Sequence, residues 1–300
     1  GGGDAGRAAA FARRAGDDAA SKRAFAEAAE CYASALDLTA RDERRSSDDE
    51  QLELRIAHGD ALVRAGRVDE GRRALRAAAD TAALQRRCDA LARAALGYAG
   101  LEESPFEDEV RVALLERAAS ALPSRATPLR VRVLGRLAQA LRSPAMAARR
   151  DRLARQTLAE ARSLGQRDVV CDALRSLHLA SWTPDNLDER EAIAREQLAI
   201  ALQLGDPQRA HDARMDLIAD LLERGDTAGV DAELAAHARL VAAEPDLVLA
   251  WHHAHYQTMR ALVAGSLDEA ERTLERGREL GARTGYDLAA QGYGIQPFTL

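Results

Sequence analysis

The side chains with the densest chemical potential in this chain are those of His252-His253-Ala254-His255, a run that holds three of the 7 histidines in 300 residues. Positions three apart on a helix share a face, so His252 and His255 form the start of a zinc site. A zinc site needs three or four protein ligands, and no neighbouring residue supplies a third. Two readings follow: a metal centre serving a hydrolase or other metalloenzyme, or polar histidines lining a groove. The cysteines do not extend the first reading. Cys31, Cys88 and Cys171 are odd in number, with neither disulfide nor metal-ligand spacing. Each lies in an apolar helical pattern, which predicts buried, reduced thiols.

Other chemistries find less support. No nucleophile elbow or paired-carboxylate arrangement is present, and acids sit beside arginines, as Asp69-Glu70 does beside Arg72-Arg73. A phosphate-cradling loop needs glycines at fixed spacing before a lysine. Lys22 is the only lysine, and that spacing is missing. These absences predict a chain with no cofactor, no bound metal and no catalytic activity. Trp182, just before Thr183-Pro184, either packs a turn or stacks on a ligand, and Trp251 reads as core filler.

The elements that carry these residues repeat. Apolar-patterned stretches recur in pairs, with a period of about forty residues. Gly16 stands twelve residues before Ala28, with Tyr32 and Ala35 beyond. Gly59 stands twelve before Gly71, with Leu75 and Ala78 beyond, and Gly265 to Ala270 leads to Leu274 and Gly277. Small residues at such offsets let antiparallel helices approach closely, and the bulky residue a turn later plugs the next pair. The pattern predicts an all-α fold: a right-handed superhelical solenoid of about seven antiparallel helix pairs and a final half-repeat, in one elongated domain. The pairs span about 4–38, 49–83, 84–122, 128–164, 166–204, 206–243 and 245–284, with the half-repeat at 287–300. Seven of the 8 prolines fall at these boundaries, Pro297 being the exception. Gly1-Gly2-Gly3 fits a cloning remnant. The uncovered half-repeat predicts a segment of something longer, with a capping helix as the other reading.

Aligned on their glycines, the first helices of the pairs predict a concave face made of Arg132, Arg136, Asp172, Arg175, Trp182, Asp212, Met215, His252, His255 and Met259. Such a surface suits a peptide segment, a protein partner or a small effector. Lys plus Arg number 42 against 48 acids, a net charge of -6. The arginines are interleaved with acids along every helix, as on solvated faces. A basic groove is the minority reading, and no recognition helix for nucleic acid stands out. No apolar run reaches the roughly eighteen residues of a membrane span. The chain reads as a soluble cytoplasmic protein that binds neither membrane nor nucleic acid directly.

The small-large-small signature resembles that of the tetratricopeptide repeat superfamily, with units longer than the usual ~34 residues. A narrower resemblance rests on Ala28-Ala29-Glu30-Cys31-Tyr32-Ala33-Ser34-Ala35-Leu36, on Trp182-Thr183-Pro184-Asp185-Asn186-Leu187-Asp188-Glu189-Arg190, on Arg260-Ala261-Leu262-Val263-Ala264-Gly265 and on Tyr286-Asp287-Leu288-Ala289-Ala290-Gln291. These are similar to the helical-repeat region of large actinobacterial P-loop ATPase transcriptional regulators, including maltose-activator-like proteins and activators of antibiotic clusters. The resemblance implies an ATPase of the signal-transducing class ahead of the array, with a LuxR-type helix-turn-helix or a nucleotide-cyclase domain elsewhere. It implies that this chain is the sensor or interaction segment, with the other domains of the full-length protein among its partners. The alternative is a structural adaptor that associates with itself.

Overall fold

In a computed structural model, residues 2–40, 47–100, 108–243 and 246–284 are described. Among them every regular element is helical. The turn expected at Ser104-Pro105, the half-repeat at 287–300 and Pro297 lie outside the described residues. The chain divides into two compact units, Gly1–Ala147 and Ala148–Leu300.

The first unit holds α1 (Gly2–Ser21), α2 (Phe25–Ala40), α3 (Asp48–Arg64), α4 (Val68–Leu84), α5 (Cys88–Ala99), α6 (Glu109–Ala121) and α7 (Pro128–Ala140). Consecutive helices pack on one another, and the alternate helices α3, α5 and α7 also touch in sequence, which is the contact pattern of stacked helical hairpins. The sequence shows why. Ser47 opens α3 with a capping box: its hydroxyl accepts from the Glu50 amide at 3.2 Å, and its own amide donates to the Glu50 carboxylate at 3.3 Å. Alanine dominates the core, with Ala28, Ala29, Ala35, Ala61 and Leu62 buried around Tyr32. Small side chains bring helix axes close together, and the glycines bring them closest. A Cβ on Gly71 would lie 2.7 Å from the Gly59 carbonyl oxygen and 2.8 Å from the Val63 nitrogen, and one on Gly16 would meet the Tyr32 ring at 2.6 Å.

The second unit holds α8 (Ala147–Leu164), α9 (Arg167–Ala180), α10 (Leu187–Leu204), α11 (Pro207–Arg224), α12 (Thr227–Ala243), α13 (Leu247–Val263) and α14 (Leu267–Thr284), with a short 3-10 turn at Pro184–Asn186; another, Pro144–Met146, falls at the end of the first unit. Helix α11 begins with Pro207 inside an Asp206 cap and ends at Gly225 in the left-handed conformation, φ 78°. The first helices α9, α11 and α13 are neighbours, with α10, α12 and α14 as their partners. The core of this unit gathers Cys171, Ala194, Ala213, Met215, Leu217, Ile218, Leu221 and Val230.

Two sequence expectations change here. Met215, expected on a groove face, is in that core and 6% exposed. Helix α11 is packed by α9, α10, α12 and α13, so the three-residue step from Asp212 to Met215, about −60° around the axis, passes from its open edge into contact with its neighbours. Of the three cysteines, only Cys171 is buried; Cys31 and Cys88 are half-buried, Cys88 because it stands at the start of α5.

Candidate functional site

Helices α9 and α11 of the second unit bring together three of the polar residues singled out in the sequence, Asp172, Arg175 and Asp212. On α9, Asp172 and Arg175 stand one turn apart and half-buried, and on α11 Arg209 and Asp212 do the same. They pair in reciprocal fashion. Asp172 accepts from Arg209 at 3.0 Å through Nε and lies 2.9 Å from its Nη2, and Arg175 Nη1 donates to Asp212 at 3.0 Å. Each helix thus gives one carboxylate and one guanidinium to the other, 37 residues apart in both pairs. Asp206 holds Arg209 from the α11 cap, and Gln208 donates to Asp212 at 3.2 Å. The outcome is a polar strip of three carboxylates and two guanidinium groups, with directional donors and acceptors, on a pair of neighbouring helices.

Behind the strip lies a charged cluster that sequence reading missed. His178 and Asp220 are fully buried, with His178 Nε2 2.7 Å from Asp220 Oδ2. Arg190 of α10 is fully buried as well, its Nη1 3.1 Å from Asp220 Oδ1 and its Nη2 against Glu223. Asp216 is 4.0 Å from His178 and 3.8 Å from Arg175, which links the cluster to the strip. Burial pulls the His178 pKa down, but the hydrogen bond it donates to Asp220 and the charges of Asp216 and Asp220 outweigh it, and the net direction is up. Trp182 covers this cluster at the turn into α10. Its ring lies 4.7 Å from the Arg190 guanidinium carbon and meets the His178 ring edge-on at 5.4 Å, with 45% of the residue exposed. A signal for the cluster existed: His178, Asp216 and Asp220 fall on core positions of α9 and α11, where an ionisable residue needs a partner.

The remaining predicted residues are distributed as follows. His252 Nδ1 donates to the Val248 carbonyl at 2.9 Å, and its ring lies edge-on to Trp251 and His211. His255 instead stacks on Trp251, with centroids 5.6 Å apart, and meets Tyr256 edge-on. The two histidines share Trp251 and otherwise meet different rings, His211 for His252 and Tyr256 for His255. Among the described residues no group of three or more His, Cys, Asp or Glu side chains is arranged to hold a metal ion. Met259 is 37% exposed further along α13. Arg132, exposed, and Arg136, which donates to Gln139 at 3.0 Å, are on α7 in the first unit. Burial drives the Cys171 thiol up to about 12, so it stays protonated and inert. An open cleft of about 410 Å³ lies beside α10, lined by Asp188, Glu191, Ala192, Arg195 and Arg224, with its acids and arginines ion-paired. No helix among the described residues is long and apolar enough to cross a membrane.

Three further histidines meet where α11, α12 and α13 join. His211 Nδ1 is 2.7 Å from His237 Nε2, and His237 Nδ1 is 3.1 Å from His253 Nδ1. They are 26 and 16 residues apart, too far for local sequence to reveal the chain of rings.

Comparison with known proteins agrees with this architecture. No family model matches the chain, and no curated protein matches it. Among solved structures it is similar to a Rap protein complexed with competence and sporulation factor, at TM-score 0.64 and 13% identity, covering 88% of this chain and 76% of that one. It is also similar to a signal transduction ATPase with numerous domains that carries a tetratricopeptide repeat sensor, from Pyrococcus horikoshii, at TM-score 0.60 and 11% identity. That match covers 90% of this chain but 42% of the ATPase, so the chain spans less than half of its length. At these identities the likeness is one of fold: an all-α, tetratricopeptide-like helical-repeat solenoid.

Proposed function

We propose that this chain is a non-catalytic binding module, the sensor or protein-interaction segment of an ATP-dependent transcriptional regulator, which takes a peptide or small effector on the first-helix face of its second unit. The observation that carries this reading is the reciprocal pairing of Asp172 with Arg209 and of Arg175 with Asp212. Half-buried ion pairs held on rigid helices keep carboxylates and guanidinium groups at fixed positions, which suits recognition of a ligand's own charged and backbone groups. The fold neighbours, one complexed with a named factor and one described as a repeat sensor on an ATPase, favour the same use. The regulator context rests on the sequence resemblance given above.

Fluorescence anisotropy with labelled peptides of varied charge, and calorimetry with small effectors and with a P-loop ATPase module, test the reading. Saturable binding by the wild type that weakens at least tenfold in Asp172→Ala and Asp212→Ala supports it. Binding that survives both substitutions, or none with any probe, overturns it. Static light scattering at the same concentrations separates this from a self-associating adaptor, whose mass would rise with concentration.

A further inference from the structure

The three imidazoles at the junction of α11, α12 and α13 have no part in the reading above. His237 of α12 is fully buried and central, touching His211 of α11 through one nitrogen and His253 of α13 through the other. The charges that act on His237 and His253 from the elements around them are positive. Arg214 of α11 acts on His237 while ion-paired to Glu233 of α12 at 3.1 Å, Arg276 of α14 acts on His253, and His252 of α13 acts on His237.

Proton counting decides what such a chain tolerates. A hydrogen bond between two ring nitrogens needs one proton, so two contacts need two. Three neutral rings carry three protons: one in each contact and one on an outer nitrogen, either His211 Nε2 or His253 Nε2. A fourth proton fits on the other outer nitrogen, giving one buried cation with both contacts intact. A fifth has no place except a nitrogen already accepting a hydrogen bond, and two N–H groups then face each other. We infer that the His211–His237–His253 chain is a proton-operated latch, which clasps α12 between α11 and α13 at neutral pH and releases it when more than one proton is taken up.

The direction of the titrations agrees with this geometry. Burial, then the charges of His253, His252 and Arg214, press His237 down to about 3, and burial with Arg276 lowers His253. In the closed state His237 and His253 therefore resist protons that they accept once α12 opens.

Hydrogen–deuterium exchange on the full chain, read on peptides of α12 and corrected for intrinsic exchange, tests the latch between pH 7 and 5. Each proton taken up on opening raises the opening constant by up to about tenfold per pH unit. The wild type is expected to exceed tenfold per unit in α12, while α6 in the first unit stays flat. His237→Phe, which fills the same space without nitrogens, is expected to lower the α12 dependence by up to about tenfold per unit, the share of one proton. A wild-type dependence at or below that of one proton, or an unchanged dependence in His237→Phe, overturns the inference. Nitrogen-15 NMR of the wild-type imidazoles gives a second readout that needs no variant. A His237 ring with one N–H at pH 7 and no second proton above pH 5 supports the latch, and a ring that titrates near 6.5 overturns it.

Discussion

Asp220 is the residue on which the buried charges of the second unit converge, with His178 on one carboxylate oxygen and Arg190 on the other. Removing its charge leaves a guanidinium, fully out of water, with Glu223 as its remaining acid partner. Such losses are costly because the desolvation of the surviving ion is no longer offset. Asp220→Asn is therefore expected to lower stability by about 3 kcal/mol or more, read as a shifted urea midpoint. The pH dependence has a definite sign. His178 has a raised folded pKa, so its contribution is complete below the unfolded value of about 6.5 and is lost as pH climbs through the folded value. His178→Gln should flatten the decline on the alkaline side, and a wild-type curve with no such decline would contradict the assignment. Alignment of the helices on their glycines singled out Asp172, Arg175 and Asp212, which are half-buried. The sequence did not disclose that Arg190 is buried, because a surface-like run, Leu187-Asp188-Glu189-Arg190, gives no hint that a charge from α11 lies opposite.

At the scale of the helices, the turns separate what composition reveals from what it conceals. Gly66, Gly165, Gly205, Gly225 and Gly265 all take positive φ at helix ends, as punctuation by glycine implies. Two equivalent turns reach the same region with arginine: Arg23 at φ 61° between α1 and α2, and Arg86 at φ 56° between α4 and α5. Nothing about an arginine in an arginine-rich chain marks a left-handed residue, so those two turns were silent. A side chain there costs about 1 kcal/mol relative to glycine. Arg86, exposed, is a site where Arg86→Gly should be neutral to stabilising, with a melting temperature equal to or above that of the wild type. The reverse holds at Gly71, where a Cβ would meet backbone atoms of α3 below 3.0 Å. The helices must then separate, and Gly71→Ala is expected to cost about 1–3 kcal/mol. The glycine spacing was legible because this close approach constrains the residue type directly. Ion pairs between repeats, such as Arg67–Glu30 at 3.0 Å and Arg162–Glu196 at 2.9 Å, were not, because exposed pairs contribute little and constrain little.

Over the whole chain, stability is distributed rather than centred. Within each unit the helices pack mainly on neighbours one or two places along the chain. Ion pairs across repeats, such as Asp172–Arg209 and Arg117–Asp80, join residues 37 positions apart, roughly one repeat. In such an array the energetic effect of a substitution decays with the number of interfaces it must cross. The consequence is measurable with Gly71→Ala. Exchange protection is expected to fall by tenfold or more in α3, α4 and α5, which meet at that crossing or pack directly on it. In α11 to α13 it is expected to match the wild type within about twofold, because additivity holds for distant, independent sites. Equal loss of protection in both units would show that the chain unfolds as one cooperative body. A substitution in one part would then be felt at the Asp172–Arg209 strip, and a ligand bound there would protect α3 and α4 as strongly as α9 and α11.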